Sequence, residues 1–275
     1  MHLLCSSGAF SRNPDFTNHH QVLAYASRFD VDGIELMFYE GWYNQLAVVT
    51  QDLQRSGLRF PAIHAEKNIG MALGSTQAEH REQAVQWLAR NCELAQHLDS
   101  AVLVLHLWGW PELDDHLEFN LEPLHRCLDV AAHYNVQLAI ETIPARHSDP
   151  LTNVHKAVER DGRCYVALDT EFLGQSGQLE SVFNTPWAWE ELDGQQRVRH
   201  IHIKDFDGQS FSEGGRRRYL HPGEGHVDFE RFFANLKQQH FDGNISLESP
   251  AIDHEGHVDI ERLQQSLNVI RHMML

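Results

Sequence analysis

The stretch "VQLAIET", residues 136–142, is an apolar run that ends in a carboxylate. Leu138, Ala139 and Ile140 are typical of a buried strand. Glu141 is out of place there, because burying an unpaired charge is costly. Taken alone, Glu141 is better explained by the start of a solvated loop. The same arrangement recurs along the chain, however, and this repetition predicts both the fold and the position of a site.

Eight short apolar runs are separated by longer amphipathic segments. They are rich in Val, Ile and Leu and mostly lack strict alternation, as in parallel strands that are covered on both faces. In chain order the runs are "HLLCSS" (2–7), "DGIELMF" (32–38), "RFPAIHAE" (59–66), "SAVLVLHLWG" (100–109), "VQLAIET" (136–142), "CYVALDTE" (164–171), "VRHIHIKD" (198–205) and "NISLES" (244–249).

The intervening segments predict helices. The clearest patterns span 77–98, 116–135, 228–240 and 259–273, and weaker ones span 19–29, 43–56 and 151–160. Thr76 and Glu79 fit a capping box, and Asp228 and Asp259 fit N-caps. Eight strand–helix repeats in 275 residues predict an α/β protein, a (β/α)8 TIM barrel that forms a single domain over 1–275. A doubly wound open sheet is the alternative, but no GxGxxG motif follows the first strand.

The amino-acid composition disfavours several classes of binding partner. With 22 basic and 39 acidic residues, the net charge of −17 disfavours nucleic acid and anionic membranes. We interpret the basic patch "GRRRYL" (215–220) as a solvated loop, with a phosphate site formed by Arg216, Arg217 and Arg218 as the alternative. The four cysteines are scattered without a CxxC spacing, so neither a zinc ribbon nor a disulfide framework is expected. We see neither a signal peptide nor a membrane-length apolar run, and we expect a cytoplasmic protein.

Polar side chains end several of the predicted strands. In a barrel the carboxyl ends of the strands surround one mouth, so residues distant in sequence meet there. Carboxylates crowded together repel one another unless a divalent cation, such as Mn²⁺, Mg²⁺, Co²⁺ or Zn²⁺, lies between them. We therefore predict one divalent metal ion, held by Glu141, Asp169, His202 and Glu248. His64 and His106 also end strands, and strand two carries Glu35.

The sequence also predicts the positions of three further residues near the strand ends. We expect His200 to point away from His202, because strand neighbours alternate between faces, and to be structural. Trp108 and Trp110 follow the fourth strand, where an indole ring can pack on the apolar face of a sugar.

The segments "LAIET", "ALDT", "HIHIKD", "HPGEGHVDF" and "SLES" resemble the xylose-isomerase-like TIM barrel superfamily. That group contains sugar isomerases and epimerases, inosose dehydratases, hydroxypyruvate isomerases and metal-dependent abasic-site endonucleases. The resemblance runs from "DGIEL" to "SLES". It implies that Glu141, Asp169, His202 and Glu248 are the metal ligands, and that the two glutamates form the catalytic acid–base pair. It also implies substrate contacts from His64, His106, Lys204 and Glu224.

The expected function is a metal-dependent isomerase or epimerase of a sugar or sugar phosphate. Proton removal beside a carbonyl gives an enediolate, whose charge the metal stabilises. An inosose-type dehydratase is the first alternative, with a sugar or polyol ketone as substrate in either case. A metal-dependent endonuclease is disfavoured, because Phe172 stands where those relatives carry an additional histidine ligand. A non-catalytic sugar or metal sensor is the last alternative, and a homo-oligomer is compatible with the sequence.

Overall fold

Eight parallel strands form a closed barrel in which each strand pairs with its neighbours in chain order and the last pairs with the first. The computed structural model describes residues 1–11, 19–109, 114–212 and 214–275. The barrel strands are β1 (His2–Ser6), β2 (Gly33–Met37), β3 (Ala62–His64), β4 (Val102–Leu105), β5 (Gln137–Glu141), β6 (Tyr165–Asp169), β7 (Val198–Ile203) and β8 (Asn244–Leu247). The predicted (β/α)8 barrel and all eight predicted strands are confirmed.

Helices connect the strands and cover the outside of the barrel. They are α1 (His19–Tyr25), α2 (Leu46–Arg55), α3 (Asn68–Leu73), α4 (Ala78–His97), α5 (Leu117–Leu121), α6 (Leu124–His133), α7 (Pro150–Arg160), α8 (Thr170–Gln175), α9 (Pro186–Trp189), α10 (Phe229–Gln238) and α11 (Ile260–Met274). Short 3-10 helices occur at Ser7–Ala9, Ala26–Arg28, Glu40–Asn44 and Ser181–Asn184, and a small hairpin pairs Glu191–Leu192 with Gln195–Gln196. None of the helices in the described part of the chain combines the length and apolarity needed to cross a bilayer.

The helix predictions hold except at two points. The segment 116–135 is broken into α5 and α6 at Pro123, because proline cannot donate the backbone hydrogen bond that would continue the first helix. The capping box predicted at Thr76 is wrong, because Thr76 is not the N-cap residue of this helix. The helix α4 begins two residues later, after Gln77, whose N–H donates to Ser75 Oγ at 3.2 Å.

Two N-caps were predicted correctly. Asp228 accepts the N–H of Arg231, and Asp259 accepts the N–H of Arg262, both at 3.0 Å. These bonds satisfy backbone donors that the first turn of a helix cannot pair internally. They fix the starts of α10 and α11, the helices that flank β8.

The barrel strands contribute to two apolar clusters, one outside and one inside the barrel. The outward faces of the strands pack against the helices in one large buried core. The inward faces form a second, smaller cluster within the barrel, made of Leu4, Ala62, Val102, Val104, Ala139, Tyr165 and Ala167. This inner cluster fills the amino-terminal half of the barrel and leaves its carboxyl end to polar side chains.

Candidate functional site

Strand alternation brings the polar residues into the barrel. Side chains two positions apart on a strand face the same side. Glu141 therefore lies on the inward face beyond Ala139, and Asp169 lies on it beyond Ala167. The same placement applies to a group of buried side chains at this end of the barrel: Glu35, His64, Glu141, Asp169, His200, His202 and Glu248.

The structure brings the four predicted metal ligands together. One donor atom from each of Glu141, Asp169, His202 and Glu248 lies within 4.8 Å of all the others. His202 Nδ1 is 2.7 Å from Glu141 Oε1, and it is 3.9 Å from both Asp169 Oδ2 and Glu248 Oε2. Three carboxylates and one imidazole nitrogen form a donor set that suits a small divalent cation. The residues present therefore fit the predicted ion.

Lys204 supplies a positive charge to the same group. Its Nζ lies 2.6 Å from Asp169 Oδ2 and 2.6 Å from Glu248 Oε2. Burial would raise the pKa of Glu248, but Lys204 and then His202 hold it below its usual value. Burial raises the pKa of Asp169 to about 7 despite Lys204, with Glu141 adding to the rise. One ammonium group thus serves two carboxylates and keeps one of them firmly ionised.

Glu141 is surrounded by imidazole rings. Its Oε1 faces His202, while its Oε2 lies 2.7 Å from His106 Nε2 and 3.3 Å from His64 Nε2. Burial would raise the pKa of Glu141, but His202 and His106 hold it well below its usual value. Burial also lowers the pKa of His106 to about 4. Glu141 is therefore an ionised carboxylate held in a defined orientation.

The expectation for His200 was wrong. His200 and His202 are two residues apart on β7, so both rings point into the barrel. Their Nε2 atoms lie 3.3 Å and 2.8 Å from the same oxygen, Oε1 of Glu35. A carboxylate in the middle of the apolar run "GIELM" was the sequence signal for this inner contact, although it did not reveal the partner.

A narrow pocket with a cavity volume of about 20 Å³ lies above these groups. Its lining residues are Lys67, His106, Glu141, Phe172, Lys204, Arg217, Tyr219 and Glu248. The loop after β7 contributes Arg217, whose guanidinium pairs with the Glu171 carboxylate. Arg218, from the same basic patch, instead pairs with Asp207 at 2.6 Å. Lys67, Arg217 and Tyr219 were not among the predicted site residues, because loop residues carry no strand-end signal.

The ring of Phe172 contacts two cations. Lys204 Nζ lies 4.4 Å from the ring centroid, and the Arg217 guanidinium carbon lies 5.8 Å from it. The backbone N–H of Phe172 donates to Asp169 Oδ1 at 3.1 Å, so Asp169 also caps α8. Phe172 therefore gives the pocket an apolar wall on the side of β6.

Two predicted substrate contacts are placed differently by the structure. Trp108 is fully buried, and its indole N–H donates to the Pro144 carbonyl at 2.8 Å, so the ring packs in the core. Glu224 is 41% exposed and accepts hydrogen bonds from Arg262 of α11 and from the His221 N–H. It ties the loop after β7 to the last helix. Trp110 lies outside the described residues.

The remaining predicted substrate residues lie at or beneath the pocket. His106 and Lys204 line it. His64 is fully buried, and its Nδ1–H donates to the Ala65 carbonyl at 2.8 Å. Its ring also packs edge-on against His106, with 4.8 Å between the centroids. His64 is therefore placed to orient Glu141 and His106.

The profile of the family described as xylose isomerase-like TIM barrel matches residues 23–273. The chain belongs to this family. No curated protein matches it significantly.

Several solved structures share the fold. The D-allulose 3-epimerase from Methylomonas sp., in complex with D-allulose, is 16% identical with a TM-score of 0.71, covering 99% of this chain and 97% of that chain. The apo 3-keto-D-glucoside 4-epimerase YcjR from E. coli is 17% identical with a TM-score of 0.70, covering 99% of both chains. The IOLI protein with a bound zinc atom is 15% identical with a TM-score of 0.68, covering 99% of this chain and 96% of that chain. At these identities the likeness shows the fold alone.

Proposed function

We propose that the protein is a divalent-metal-dependent isomerase or epimerase of a sugar or sugar phosphate. The observation that carries this proposal is the meeting of Glu141, Asp169, His202 and Glu248 within 4.8 Å, beneath a pocket that both glutamates line. The names of the structural neighbours support it, because two are epimerases of keto-sugars and another holds zinc. Family membership supports the same class of reaction.

The four residues would hold one divalent ion, for which Mn²⁺, Mg²⁺, Co²⁺ and Zn²⁺ are candidates. Such an ion, when bound, stabilises negative charge that develops on the substrate oxygens during proton transfer. Binding a keto-sugar through its carbonyl and a neighbouring hydroxyl would place the acidic C–H beside the glutamates. The wall formed by Phe172 would exclude water from that side of the pocket.

Glu141 and Glu248 perform the proton transfers in this proposal. Both side chains have lowered pKa values, so both are ionised and able to accept a proton. A proton taken by one carboxylate and returned to the adjacent carbon gives aldose–ketose isomerisation. A proton taken on one face and supplied on the other gives epimerisation. Lys204 donates a 2.6 Å hydrogen bond to Glu248 and orients its carboxylate. Burial would lower the pKa of Lys204, but Asp169 and Glu248 raise it, so Lys204 keeps its proton, and the proton that the second glutamate supplies in epimerisation comes from water.

The test is incubation of the metal-loaded protein in D₂O with a panel of ketoses, 3-keto-sugars, their phosphates and inososes, followed by NMR. We expect deuterium to enter at a carbon next to the carbonyl of one substrate class, together with an epimer or isomer. Loss of water in the product would favour the dehydratase instead. If folded protein loaded with each of the four metals gave no exchange into any compound, the proposed function would be wrong.

A further inference from the structure

Glu35 is a fully buried carboxylate on β2. Its Oε1 lies 2.8 Å from His202 Nε2, and its Oε2 accepts a hydrogen bond from Ser246 Oγ at 2.7 Å. Burying an ionised carboxylate is costly unless hydrogen bonds compensate for the lost water. Glu35 is therefore part of the structure beneath the ligands, one step further from the pocket than His202.

The contact with Glu35 determines which imidazole nitrogen His202 can offer to an ion. An ionised carboxylate only accepts hydrogen bonds, so Nε2 of His202 carries the hydrogen in this contact. Nδ1 is the nitrogen that faces Glu141, Asp169 and Glu248. Without an ion, Nδ1 shares a hydrogen with Glu141 Oε1 at 2.7 Å, and an ion bound there would displace that hydrogen. In the resulting neutral ring Nε2 keeps its hydrogen for Glu35, and Nδ1 has the free lone pair that coordination requires.

We propose that Glu35 is a positioning residue, which orients His202 and selects the tautomer that presents Nδ1 to the divalent ion. This inference rests on the proposed function, because it assumes that the four ligands hold a metal. Among the described residues, Glu35 neither lines the pocket nor belongs to the group of four proposed ligands. The inference gives this buried acid a role.

The surroundings of Glu35 suit this role. The carboxylate comes from β2 and reaches β7, although β1 and β8 lie between these strands around the barrel. Ser246 of β8 pairs in register with His202, so the hydrogen bond from its hydroxyl holds Glu35 at the level of the ligand. His200 lies on the other side, with Nε2 3.3 Å from the same Oε1. Ser246 and His200 thus hold the Glu35 carboxylate, and the carboxylate in turn holds the His202 imidazole.

A second arrangement is also compatible with the distances, and the experiment must separate it from the first. Glu35, His200 and His202 themselves offer three donor atoms within 4.8 Å of one another. An ion bound there would use His202 Nε2, whereas the positioning role keeps a hydrogen on that atom. The two arrangements therefore differ in the number of ions per chain and in the coordinated nitrogen.

The test compares Glu35→Ala and Glu35→Gln with a matched control, Leu36→Ala. Leu36 is the next residue on β2, is equally buried and packs in the outer core, so its truncation destabilises the same strand without touching the ligands. The dissociation constants for Zn²⁺ and Mn²⁺ are measured by competition with a fluorescent chelator, alongside the melting temperature of each metal-free protein. NMR of the zinc-loaded, ¹⁵N-histidine-labelled wild type reports which nitrogen of His202 is coordinated.

We expect the wild type to bind one ion through Nδ1, and Glu35→Ala to weaken binding about 10- to 100-fold. Glu35→Gln keeps an oxygen acceptor without the charge, so its loss should be smaller. Leu36→Ala should lower the melting temperature with an affinity within about twofold of wild type. If Glu35→Ala does not fold, Glu35→Gln and the wild-type NMR spectrum still decide the question.

The inference is overturned by coordination through Nε2, by two ions per chain, by unchanged affinity in the Glu35 variants, or by an equal loss in Leu36→Ala. Its failure can be told apart from that of the proposed function. A wild type that binds no divalent ion refutes the proposed function and the inference with it. A wild type that binds metal and catalyses exchange, while the Glu35 variants bind equally well, refutes the inference alone.

Discussion

Lys204 donates a 2.6 Å hydrogen bond to Glu248, and its ammonium lies equally close to Asp169, so one cation of the chain itself contacts two of the proposed metal ligands. A divalent ion entering the group must share those oxygens with Lys204 or displace it. The stability of the metal-free protein and its affinity for metal are therefore coupled through this side chain.

Removing this ammonium should make the protein dependent on metal for its stability. In Lys204→Met the Asp169 and Glu248 carboxylates are buried without their partner, and breaking a buried ion pair typically costs about 3–5 kcal/mol. We expect a lower melting temperature in chelator and a larger rise on adding Mn²⁺ than the wild type shows, measured by differential scanning fluorimetry. The exposed Lys237→Met is the control. An equal metal-induced rise in Lys204→Met and wild type would contradict the coupling.

The two glutamates should be essential for turnover. Glu141→Gln and Glu248→Gln keep the size of each side chain but remove the base, so we expect kcat to fall about 10²- to 10⁴-fold. Circular dichroism and metal content must be measured in parallel, because each residue is also a proposed ligand. Glu224→Gln is the matched control, since its carboxylate pairs with Arg262 and we expect kcat near that of wild type. Near-normal turnover in either of the first two variants would refute their assigned roles.

Trp108 should affect stability more than substrate binding. Trp108→Phe retains most of the buried ring but loses the hydrogen bond to the Pro144 carbonyl, so we expect a loss of about 1 kcal/mol in the free energy of unfolding. KM should change little, because the ring is fully buried. Urea unfolding and steady-state kinetics measure the two effects. A large rise in KM with unchanged stability would restore the sugar-stacking role that the sequence suggested.

Asp114 anchors the loop that follows Glu141, and its contribution should depend on pH. It accepts the N–H groups of Arg146 and His147 at 2.7 and 3.1 Å and the amide of Asn153 at 3.1 Å. Burial would raise its pKa, but these hydrogen bonds hold the pKa below its usual value.

Because the folded-state pKa of Asp114 is lowered, its stabilisation is present above the unfolded value of about 4 and is lost as pH falls through the folded value. Asp114→Ala should therefore be less stable than wild type by about 1–3 kcal/mol at pH 7, since three donors lose their acceptor. The difference should shrink below pH 4, as measured by urea unfolding at several pH values. A difference that stays constant down to pH 2 would contradict the assignment.

The barrel and the meeting of the four proposed ligands were predictable from the sequence because both follow from strand ends. Each apolar run is long enough to identify a strand, and the residue that ends it must lie at the mouth of the barrel. Glu141, Asp169 and Glu248 could be placed by this reasoning alone. His200 could also have been placed correctly, because a spacing of two along a strand puts it on the same face as His202.

Other features depend on tertiary contacts that no local pattern encodes. Whether Trp108 faces the pocket or the core is decided by its fit against Pro144, 36 residues later. Glu224 turns outward because Arg262, 38 residues away on the last helix, meets it. Arg217 reaches the pocket through the path of a loop, and loop paths have no hydrophobic periodicity from which to infer them.

The apolar cluster inside the barrel closes the cavity from below with Leu4, Val102 and Tyr165. Under the proposed function, an ion and a sugar would use the same entrance, with the ion at the deeper position. Binding would then be ordered, with the cation first, and a bound sugar would hinder the release of the cation beneath it. Dialysis against chelator should therefore strip the metal more slowly when substrate is present.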